Sequence, residues 1–369
     1  MTEKLQTAPS SRALTIVSFR EVASSPSHSV IEQCEDALNS AAGNSRIVTI
    51  RKVESLLARV LRHPRLKKTV IAGRVADTVY RTLQSLLSRS TESDVLYFCL
   101  NTSDLDLVGS HRSHGGLIMV YVIDAWESRI DRVAQMIPSI DVLLVAFGHS
   151  LYHLERAVPR SSLAKIYLFP VFISDPIRPT PERQYDIIQV GRRDATLHTW
   201  CLKYAKDSLR SYLYERRNHQ GIYYFDRLPW ESKRWQLSYD TLLAVLRQTR
   251  IALVSPPDRT NPLRTGSVSP LTHRYLEAAS CGAVPVGFTP TGPEYSDRFP
   301  DDFTLVPRTY EEFAGICDKL ILDREYRNGI AARNYEYVTR EHTAQQRLQQ
   351  LRSIVDAATA RPQVPGECH

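Results

Sequence analysis

The chain has 369 residues, of which 43% are hydrophobic and 24% are charged, with a formal net charge of +7. These fractions match ordinary globular proteins and exclude a disordered or fibrous chain, and the length allows two domains. The longest apolar run, near residues 116–123, has about eight residues, far fewer than the roughly 20 of a membrane-spanning helix. The opening stretch, MTEKLQTAPSSRALTIVSF, lacks the features of a signal peptide. We therefore expect a cytoplasmic protein.

The chain contains six cysteines, none of them in a CxxC pair or beside a histidine at zinc-finger spacing. An even count permits disulfides. Without a secretory signal, buried reduced thiols are the favoured interpretation.

The excess positive charge is concentrated in residues 55–90, which carry eight basic residues and one acidic residue. The apolar residues of this segment recur at helical spacing, which predicts two amphipathic helices at 53–62 and 70–89, broken at Pro64. Two interpretations stay open. The basic face is either a solvated helix surface, or a surface for anionic lipid, nucleic acid or an acidic substrate. Peripheral binding at the inner face of the membrane is therefore one option.

The first half of the chain alternates apolar runs with helical patterns. The runs are nearly continuous rather than alternating, as in strands buried on both faces of a parallel sheet. Such a series predicts an α/β fold with an open, doubly wound sheet. The predicted strands are 13–18, 46–50, 94–99, 116–123, 141–147 and 165–170, and further helices are predicted at 28–41 and 128–137.

A stretch with four prolines, residues 169–184, predicts an interdomain linker. A second α/β series follows it, so we expect two Rossmann-like domains facing each other across a cleft. We place the domains at 1–175 and 176–340, with a helix at 341–369 that returns toward the N-terminal domain and ends in a frayed tail. The predicted strands are 185–190, 221–225, 250–254, 283–287 and 303–306, and the helices are 196–213, 239–247, 270–280 and several within 310–358.

The stretch TGSVSPLTHRYLEAASCGAVPVG, residues 265–287, is the most informative. Ser269 and Pro270 form a typical helix start, and Gly282 supplies a left-handed stop. The amino end of this helix offers free N–H groups that suit a diphosphate. Glu277 lies two turns in, on a face that is expected to be buried. A buried carboxylate needs partners; the two hydroxyls of a ribose and a core arginine would serve equally well.

The segment RYLEAASCGAVPVG resembles the nucleotide-sugar signature of GT-B glycosyltransferases of the group 1 type, EAxxxGxPV. YDTLLAVLRQTRIALVSP and EHTAQQRLQQLRSIV are similar to the subgroup related to the spore-maturation protein CgeB. The resemblance covers roughly residues 185–355 and extends more loosely over the N-terminal half. It implies a GT-B architecture, with the nucleotide-sugar donor on the C-terminal domain and the acceptor on the N-terminal domain.

The resemblance also implies roles for single residues. Glu277 matches the glutamate that holds the donor ribose, and the start of its helix matches the segment that meets the diphosphate. In QVGRRDA, Gly191 would permit close approach, while Arg192 or Arg193 would neutralise the charge that develops on the leaving diphosphate. The family often has a second glutamate eight residues before the first, where this chain has Ser269; this departure leaves retention or inversion open. The expected donor-binding residues are Gly191, Arg264, Leu271, Thr272, His273, Arg274 and Glu277.

The N-terminal half offers candidates at the ends of its strands. Asp124 ends a central strand and is interpreted either as a general base or orienting group for the acceptor, or as a cap of the next helix. His149 follows the next strand, where an ordinary turn histidine is the alternative. Ser18, Phe19 and Arg20 end the first strand and are expected to line the acceptor side.

Other chemistries lack their motifs. The chain has no GxGxxG, GxxxxGK[ST], HExxH or nucleophile elbow, which disfavours hydride transfer, P-loop hydrolysis and zinc proteolysis. Asp104-Leu105-Asp106 matches the DxD metal motif of another glycosyltransferase fold. The order of strands and helices predicted around it is not that of the other fold, so the match is discounted.

We therefore predict a metal-independent glycosyltransferase without a cofactor, which moves a sugar from a nucleotide diphosphate sugar to a hydroxyl of a glycan, small molecule or protein. The alternatives are a nucleotide-sugar epimerase or hydrolase on the same fold, and a basic nucleic-acid-binding protein with a degenerate GT-B fold. A transferase acting on modified DNA bases combines the two, although nucleic acid is not the expected partner.

Overall fold

A computed structural model describes residues 12–21, 29–51, 88–174, 179–180, 182–191, 193–217, 223–228, 235–236 and 238–360. Almost all of the basic segment 55–90 lies outside these ranges, as do Arg192, Cys368 and the last nine residues. The predicted helices at 53–62 and 70–89 are therefore not described, except that Arg89 begins a strand. Among the described residues, no helix has both the length and the apolarity needed to cross a bilayer.

The N-terminal half is built on a parallel sheet in the order β2-β1-β4-β6-β7-β8. A separate pair, β3 and β5, lies beside it. The central strands are fully buried, which confirms the expectation drawn from their continuous apolar runs. The strands are β1 (Ala13–Ser18), β2 (Ser45–Thr49), β3 (Arg89–Thr91), β4 (Ser93–Asn101), β5 (His111–Ser113), β6 (Ile118–Asp124), β7 (Val142–Val145) and β8 (Ile166–Leu168).

Helices connect these strands. The predicted helix at 128–137 is wrong in its extent, because a short α-helix is flanked there by two 3₁₀ turns, the second of which contains Pro138. Proline cannot donate the N–H that an uninterrupted helix would need. The helices are α1 (Ser29–Ala42), α2 (Ile130–Ala134), α3 (Gly148–Ala157) and α4 (Arg160–Leu163), and the 3₁₀ turns are Asp104–Leu107, Glu127–Arg129 and Ile137–Ser139.

The C-terminal half is built on a second sheet in the order β12-β11-β10-β9-β13-β14. Its β9, β10, β13 and β14 are parallel, while β11 and β12 extend one edge in antiparallel pairing. The predicted strand at 303–306 is wrong, since only a single bridge joins Leu305 to Val286. The strands are β9 (Tyr185–Gln189), β10 (Tyr212–Arg217), β11 (Tyr223–Leu228), β12 (Trp235–Gln236), β13 (Thr249–Val254) and β14 (Val284–Gly287).

The helix predicted at 196–213 is also too long, because it ends at Ser208 and Leu209 adopts a left-handed conformation with φ of 56°. This reverses the chain and starts β10 at Tyr212. The helices of this half are α5 (Ala195–Ser208), α6 (Tyr239–Arg247), α7 (Pro257–Thr260), α8 (Pro262–Thr265), α9 (His273–Ser280), α10 (Pro293–Ser296), α11 (Tyr310–Leu322), α12 (Arg324–Glu341) and α13 (Ala344–Thr359).

One buried cluster spans the two halves, and each half also has a cluster of its own. The shared cluster of buried side chains includes residues of both sheets. The proline-rich connection contributes to it, because Phe169 and Phe172 are buried and pack edge-to-face. At the end of the chain, α13 packs against α1, and Arg347 Nε donates to the carbonyl of Pro170 at 2.9 Å. The segment predicted as a linker is therefore partly core. The five described cysteines are buried and free, as expected.

Candidate active site

A cleft of about 440 Å³ lies between the two sheets. In each sheet the strand order reverses beside the first strand of its half, β1 or β9. Open α/β sheets bind ligands outside the carboxyl ends of their strands at such points. Both carboxyl edges contribute to the cleft, with Leu100, Ile123, Asp124 and Phe147 from the N-terminal half and Val190, Gly191, Val254 and Ser255 from the C-terminal half.

Helix α9 delivers its amino end to this cleft, but it starts later than the sequence predicts. Its first residue is His273, and Thr272 occupies the cap position without a side-chain hydrogen bond. Ser269 is not the cap, because its N–H donates to His149 Nδ1 at 3.1 Å and its Oγ accepts from the N–H of Thr291 at 3.2 Å. Thr272, His273 and Arg274 all line the cleft. The amides of His273 and Arg274, the first two of α9, have no helical acceptor and thus lie at the cleft wall, whereas the N–H of Tyr275 donates to the carbonyl of Thr272 at 3.3 Å.

Glu277 is 1% exposed and forms an ion pair with Arg274 at 2.5 Å, one turn earlier on α9. Of the two partners that the sequence left open, the arginine is present. It occupies only one carboxylate oxygen, and Oε1 of Glu277 is buried and makes no hydrogen bond of standard geometry to a described residue. Burial, the nearby charges of Glu277 and Cys34, and a hydrogen-bonding contact between the hydroxyl of Tyr239 and the carboxylate of Glu277 raise the pKa of Tyr239 far above its usual value. Arg274 is 22% exposed and lines the cleft, whereas Glu277 is not among the lining residues and lies directly behind Arg274.

The surroundings of Arg274 and His273 shift their pKa values in opposite directions, so that the arginine is charged and the histidine is neutral at this wall. Burial lowers the pKa of Arg274, but Glu277 and Glu215 outweigh it and raise that pKa overall. Burial lowers the pKa of His273 to about 4, with Glu277 opposing this and Arg274 adding to it. His273 is therefore neutral at pH 7. Its Nε2 lies 3.9 Å from Sγ of Cys34 on α1, across the domain boundary.

Gly191 lies two residues after β9, the first strand of the C-terminal half, and has a φ of 82°, a region that favours glycine. Its N–H donates to Glu215 Oε2 at 2.8 Å, and a side chain there would approach Arg274. Arg193 is exposed and lies beside His198, with Nη1 3.4 Å from its ring nitrogen. It is not among the residues that line the cleft, and Arg192 is outside the described residues.

The N-terminal wall contains Asp124, which ends β6. Its carboxylate pairs with Arg264 at 2.6 Å, and the guanidinium of Arg264 lies 5.4 Å from the ring centre of Trp126. Arg264, predicted to bind the donor, does not line the cleft itself. His149 lies beside Ser269 at the domain boundary.

The residues that end β1 form a separate cluster. Ser18 Oγ donates to Oε2 of Glu35 at 2.5 Å, and Arg20 pairs with Glu35 at 2.8 Å and with Asp36 at 2.9 Å. Burial raises the pKa of Glu35 to about 7, although bonds from Ser18 and Arg20 oppose it. Phe19 is 5% exposed. None of the three predicted acceptor residues at this strand end lines the cleft.

One buried carboxylate joins the two halves. Glu294 is 0% exposed; its Oε2 accepts from the N–H of Gly148 at 2.8 Å and its Oε1 from the N–H of Leu271 at 3.1 Å. We call these two bonds the Glu294 clamp. The amide of Leu271, predicted to meet a diphosphate, is therefore already bonded. Nearby, Glu127 Oε2 accepts from the N–H of Ser267 at 2.6 Å, which lowers the pKa of Glu127.

Asp104 and Asp106 do not form a metal site with a third ligand. Asp104 Oδ2 accepts from the N–H of Asn101 at 3.0 Å, and Asp106 pairs with Arg132 at 2.5 Å. Within the described ranges, no group of three histidine, cysteine, aspartate or glutamate side chains could hold a metal ion.

Comparison with known proteins gives one family match, which lies in the C-terminal half. Residues 200–353, which include α9 and Glu277, match the family model described as glycosyl transferase-like. No curated protein sequence matches the chain.

Solved structures share the fold of the whole chain. The trehalose-6-phosphate synthase OtsA aligns with a TM-score of 0.58 and 12% identity over 93% of this chain and 99% of its own. Anabaena Alr3699/HepE, solved with UDP and glucose, aligns with a TM-score of 0.54 and 9% identity over 94% and 100%. S. aureus TarM aligns with a TM-score of 0.51 and 10% identity over 75% of this chain. The chain spans 58% of the length of TarM and 60% of that of the pneumococcal O-GlcNAc transferase GtfA. The fold is GT-B, as the sequence predicts.

Proposed function

We propose that this chain is a glycosyltransferase that moves a sugar from a nucleotide diphosphate sugar to an acceptor hydroxyl. The glycosyl transferase-like match over 200–353 and the GT-B fold support the class of enzyme. The observation that carries the assignment to this site is the cleft between the two carboxyl edges, into which α9 directs its amino end. An epimerase or hydrolase on the same fold has no comparable support.

The donor nucleotide is assigned to the C-terminal wall. The diphosphate would contact the first-turn amides of α9 at His273 and Arg274, since helix amino ends favour anions. The ribose would lie against Glu277, whose Oε1 makes no hydrogen bond of standard geometry to a described residue and whose carboxylate lies beside the hydroxyl of Tyr239. A hydrogen bond from a ribose hydroxyl to this oxygen would satisfy a buried acceptor that is costly to leave unpaired. Gly191 leaves room for the phosphates beside Arg274.

The reaction breaks the bond between the anomeric carbon and the diphosphate oxygen, and forms a bond from that carbon to the acceptor oxygen. Negative charge develops on the diphosphate, and positive groups aimed at it lower the barrier. Arg274 is the described arginine at this wall, and Arg192 and Arg193 remain predictions for the same role. These cations and the end of α9 underlie our prediction that no metal or cofactor is required.

Asp124 is assigned to the acceptor. Its position at the end of β6, on the N-terminal wall, lets its carboxylate accept the hydrogen of an acceptor hydroxyl. The ion pair with Arg264 orients the carboxylate. His149, Phe19 and Arg20 lie outside the cleft wall and would act on the acceptor only indirectly. Retention or inversion is not assigned.

Several broader assignments accompany this function. Membership of the CgeB-like subgroup, division into domains at 1–175 and 176–340, and a cytoplasmic location are proposed from the sequence. Contact of residues 55–90 with an anionic membrane surface rests on their charge alone.

Calorimetry with UDP, GDP and dTDP tests the donor assignment, on the wild type and on Glu277→Gln. UDP is the first choice because the HepE structure contains it. Loss of a charged acceptor for a ribose hydroxyl costs about 1.5–3 kcal/mol, so affinity should fall roughly 10- to 100-fold. Glutamine is the chosen replacement because it keeps the volume beside Arg274.

The matched control is Glu325→Gln, at an exposed position in the first turn of α12. It should bind nucleotide as the wild type does. Unchanged affinity in Glu277→Gln would contradict the ribose assignment. Product analysis with and without acceptor separates transfer from hydrolysis or epimerisation, which need no acceptor.

A further inference from the structure

A second cavity, of about 540 Å³, shares a wall with the cleft. Asp124 and Trp126 line both cavities. The second cavity is otherwise built from the loop after β4, residues 101–103, the turn and helix that follow β6, and the segment 261–264. We call it the side pocket. Because Asp124 lines both cavities, a molecule bound in the side pocket and a sugar bound in the cleft would both lie next to this carboxylate.

Positive charge dominates the side pocket. Three arginines line it, Arg129, Arg132 and Arg264, against one carboxylate, Asp124. Arg264 is paired with Asp124 and Arg132 with Asp106. Arg129 is exposed, and its guanidinium has no hydrogen bond or ion pair to any residue of the described ranges. Arg129 is therefore available to a ligand, and it lies beside Arg132 and Arg264, whose guanidinium groups are held in place by their ion pairs.

Asp106 positions one of the arginines of the side pocket, Arg132. It lies in the 3₁₀ turn after β4 and is buried, and its 2.5 Å bond to Arg132 Nη2 holds that side chain at the pocket. The Asp-Leu-Asp sequence thus contains a positioning residue for an arginine. An arginine held in place loses less conformational entropy when it binds an anion.

We propose that the side pocket binds the acceptor, and that the acceptor carries an oxyanion, a phosphate or a carboxylate, which Arg129 and Arg132 bind. This inference rests on the proposed function, because it takes the cleft to be the donor site. Thr102, Ser103 and Asn261 add neutral hydrogen-bonding groups of the kind that sugar hydroxyls need. The acceptor hydroxyl would then lie near Asp124, at the opening to the donor sugar.

Calorimetry with three probes tests the proposal: a hexose 6-phosphate, a hexuronate and an uncharged hexose. Each is titrated into nucleotide-free protein and into protein saturated with whichever of UDP, GDP or dTDP binds. We expect at least one anionic probe to bind 10-fold or more tightly than the uncharged hexose, because charge-assisted hydrogen bonds are the stronger ones. The two anionic probes distinguish a phosphate from a carboxylate.

The variants are Arg129→Gln and Arg132→Gln, with Arg112→Gln, at the exposed middle position of β5, as the matched control. Both test variants should weaken anionic binding about 10-fold or more, and the control should not. Equal binding of all three probes, no binding of any, or unchanged affinity in both test variants would overturn the proposal. If a nucleotide binds but no anionic preference appears, only this inference fails. If no nucleotide binds, the proposed function fails.

Discussion

The Glu294 clamp makes a quantitative prediction. In Glu294→Gln, one amide oxygen can still accept from the N–H of Gly148 or of Leu271, but the other N–H then faces an NH₂ group. Each hydrogen bond to a charged group contributes about 1.5–3 kcal/mol, and a buried donor left unpaired costs about 1–3 kcal/mol. Since Glu294 is 0% exposed, water cannot replace the lost acceptor. We expect the free energy of unfolding to fall by roughly 2–4 kcal/mol.

Urea denaturation, followed by circular dichroism and tryptophan fluorescence, measures this loss. The control is Glu311→Gln, at an exposed first-turn position of α11, which should stay within about 0.5 kcal/mol of the wild type. The bond from Gly148 to Glu294 joins the two halves, so Glu294→Gln should also weaken nucleotide binding if domain closure supports the cleft. A loss below about 0.5 kcal/mol would refute the idea that this carboxylate holds the domains together.

Three further predictions concern packing and pH. Gly148→Ala should destabilise the fold by about 1–3 kcal/mol in urea unfolding, because the added carbon would overlap the ring of Pro293; wild-type stability would contradict this contact. The native pKa of Glu35 is raised from 4.5 to about 7, so its contribution to stability should be lost as pH rises through that window, and Glu35→Gln should abolish this loss. Burial, with a smaller effect of Arg347, lowers the pKa of His342 from 6.5 to about 3, so its contribution should be lost as pH falls through that interval, and His342→Gln should remove this acid sensitivity. Unfolding titrations from pH 3 to pH 8 on each variant check both pH predictions, and a pH dependence of stability that matches the wild type would contradict the assignment concerned.

Local patterns predicted most of the fold because parallel strands and amphipathic helices have strong periodic signals. They failed where a local signal served a tertiary purpose. Ser269 and Pro270 have the form of a helix start, but the polar groups of Ser269 bond to His149 and Thr291 instead. Likewise, β10 follows α5 with no glycine or proline between them, because Leu209 takes the left-handed conformation that glycine usually supplies.

The site was predictable to the extent that it depends on α9. The pattern around Glu277 indicated a buried carboxylate, and the structure places it one turn from Arg274, behind the cleft wall. The role of Glu294 could not be predicted from the sequence, because its partner Gly148 is 146 positions away in the chain and no local motif indicates the contact. The side pocket could not be predicted from local sequence either, because it is formed by three segments that are far apart in the chain.

The most direct test of the central claim is a crystal structure of the protein with a bound nucleoside diphosphate. We predict the diphosphate within hydrogen-bond distance of the amides of His273 and Arg274, and a ribose hydroxyl at about 2.6–3.0 Å from Oε1 of Glu277. A nucleotide bound away from α9, with Glu277 still bonded to Arg274 alone, would contradict the account.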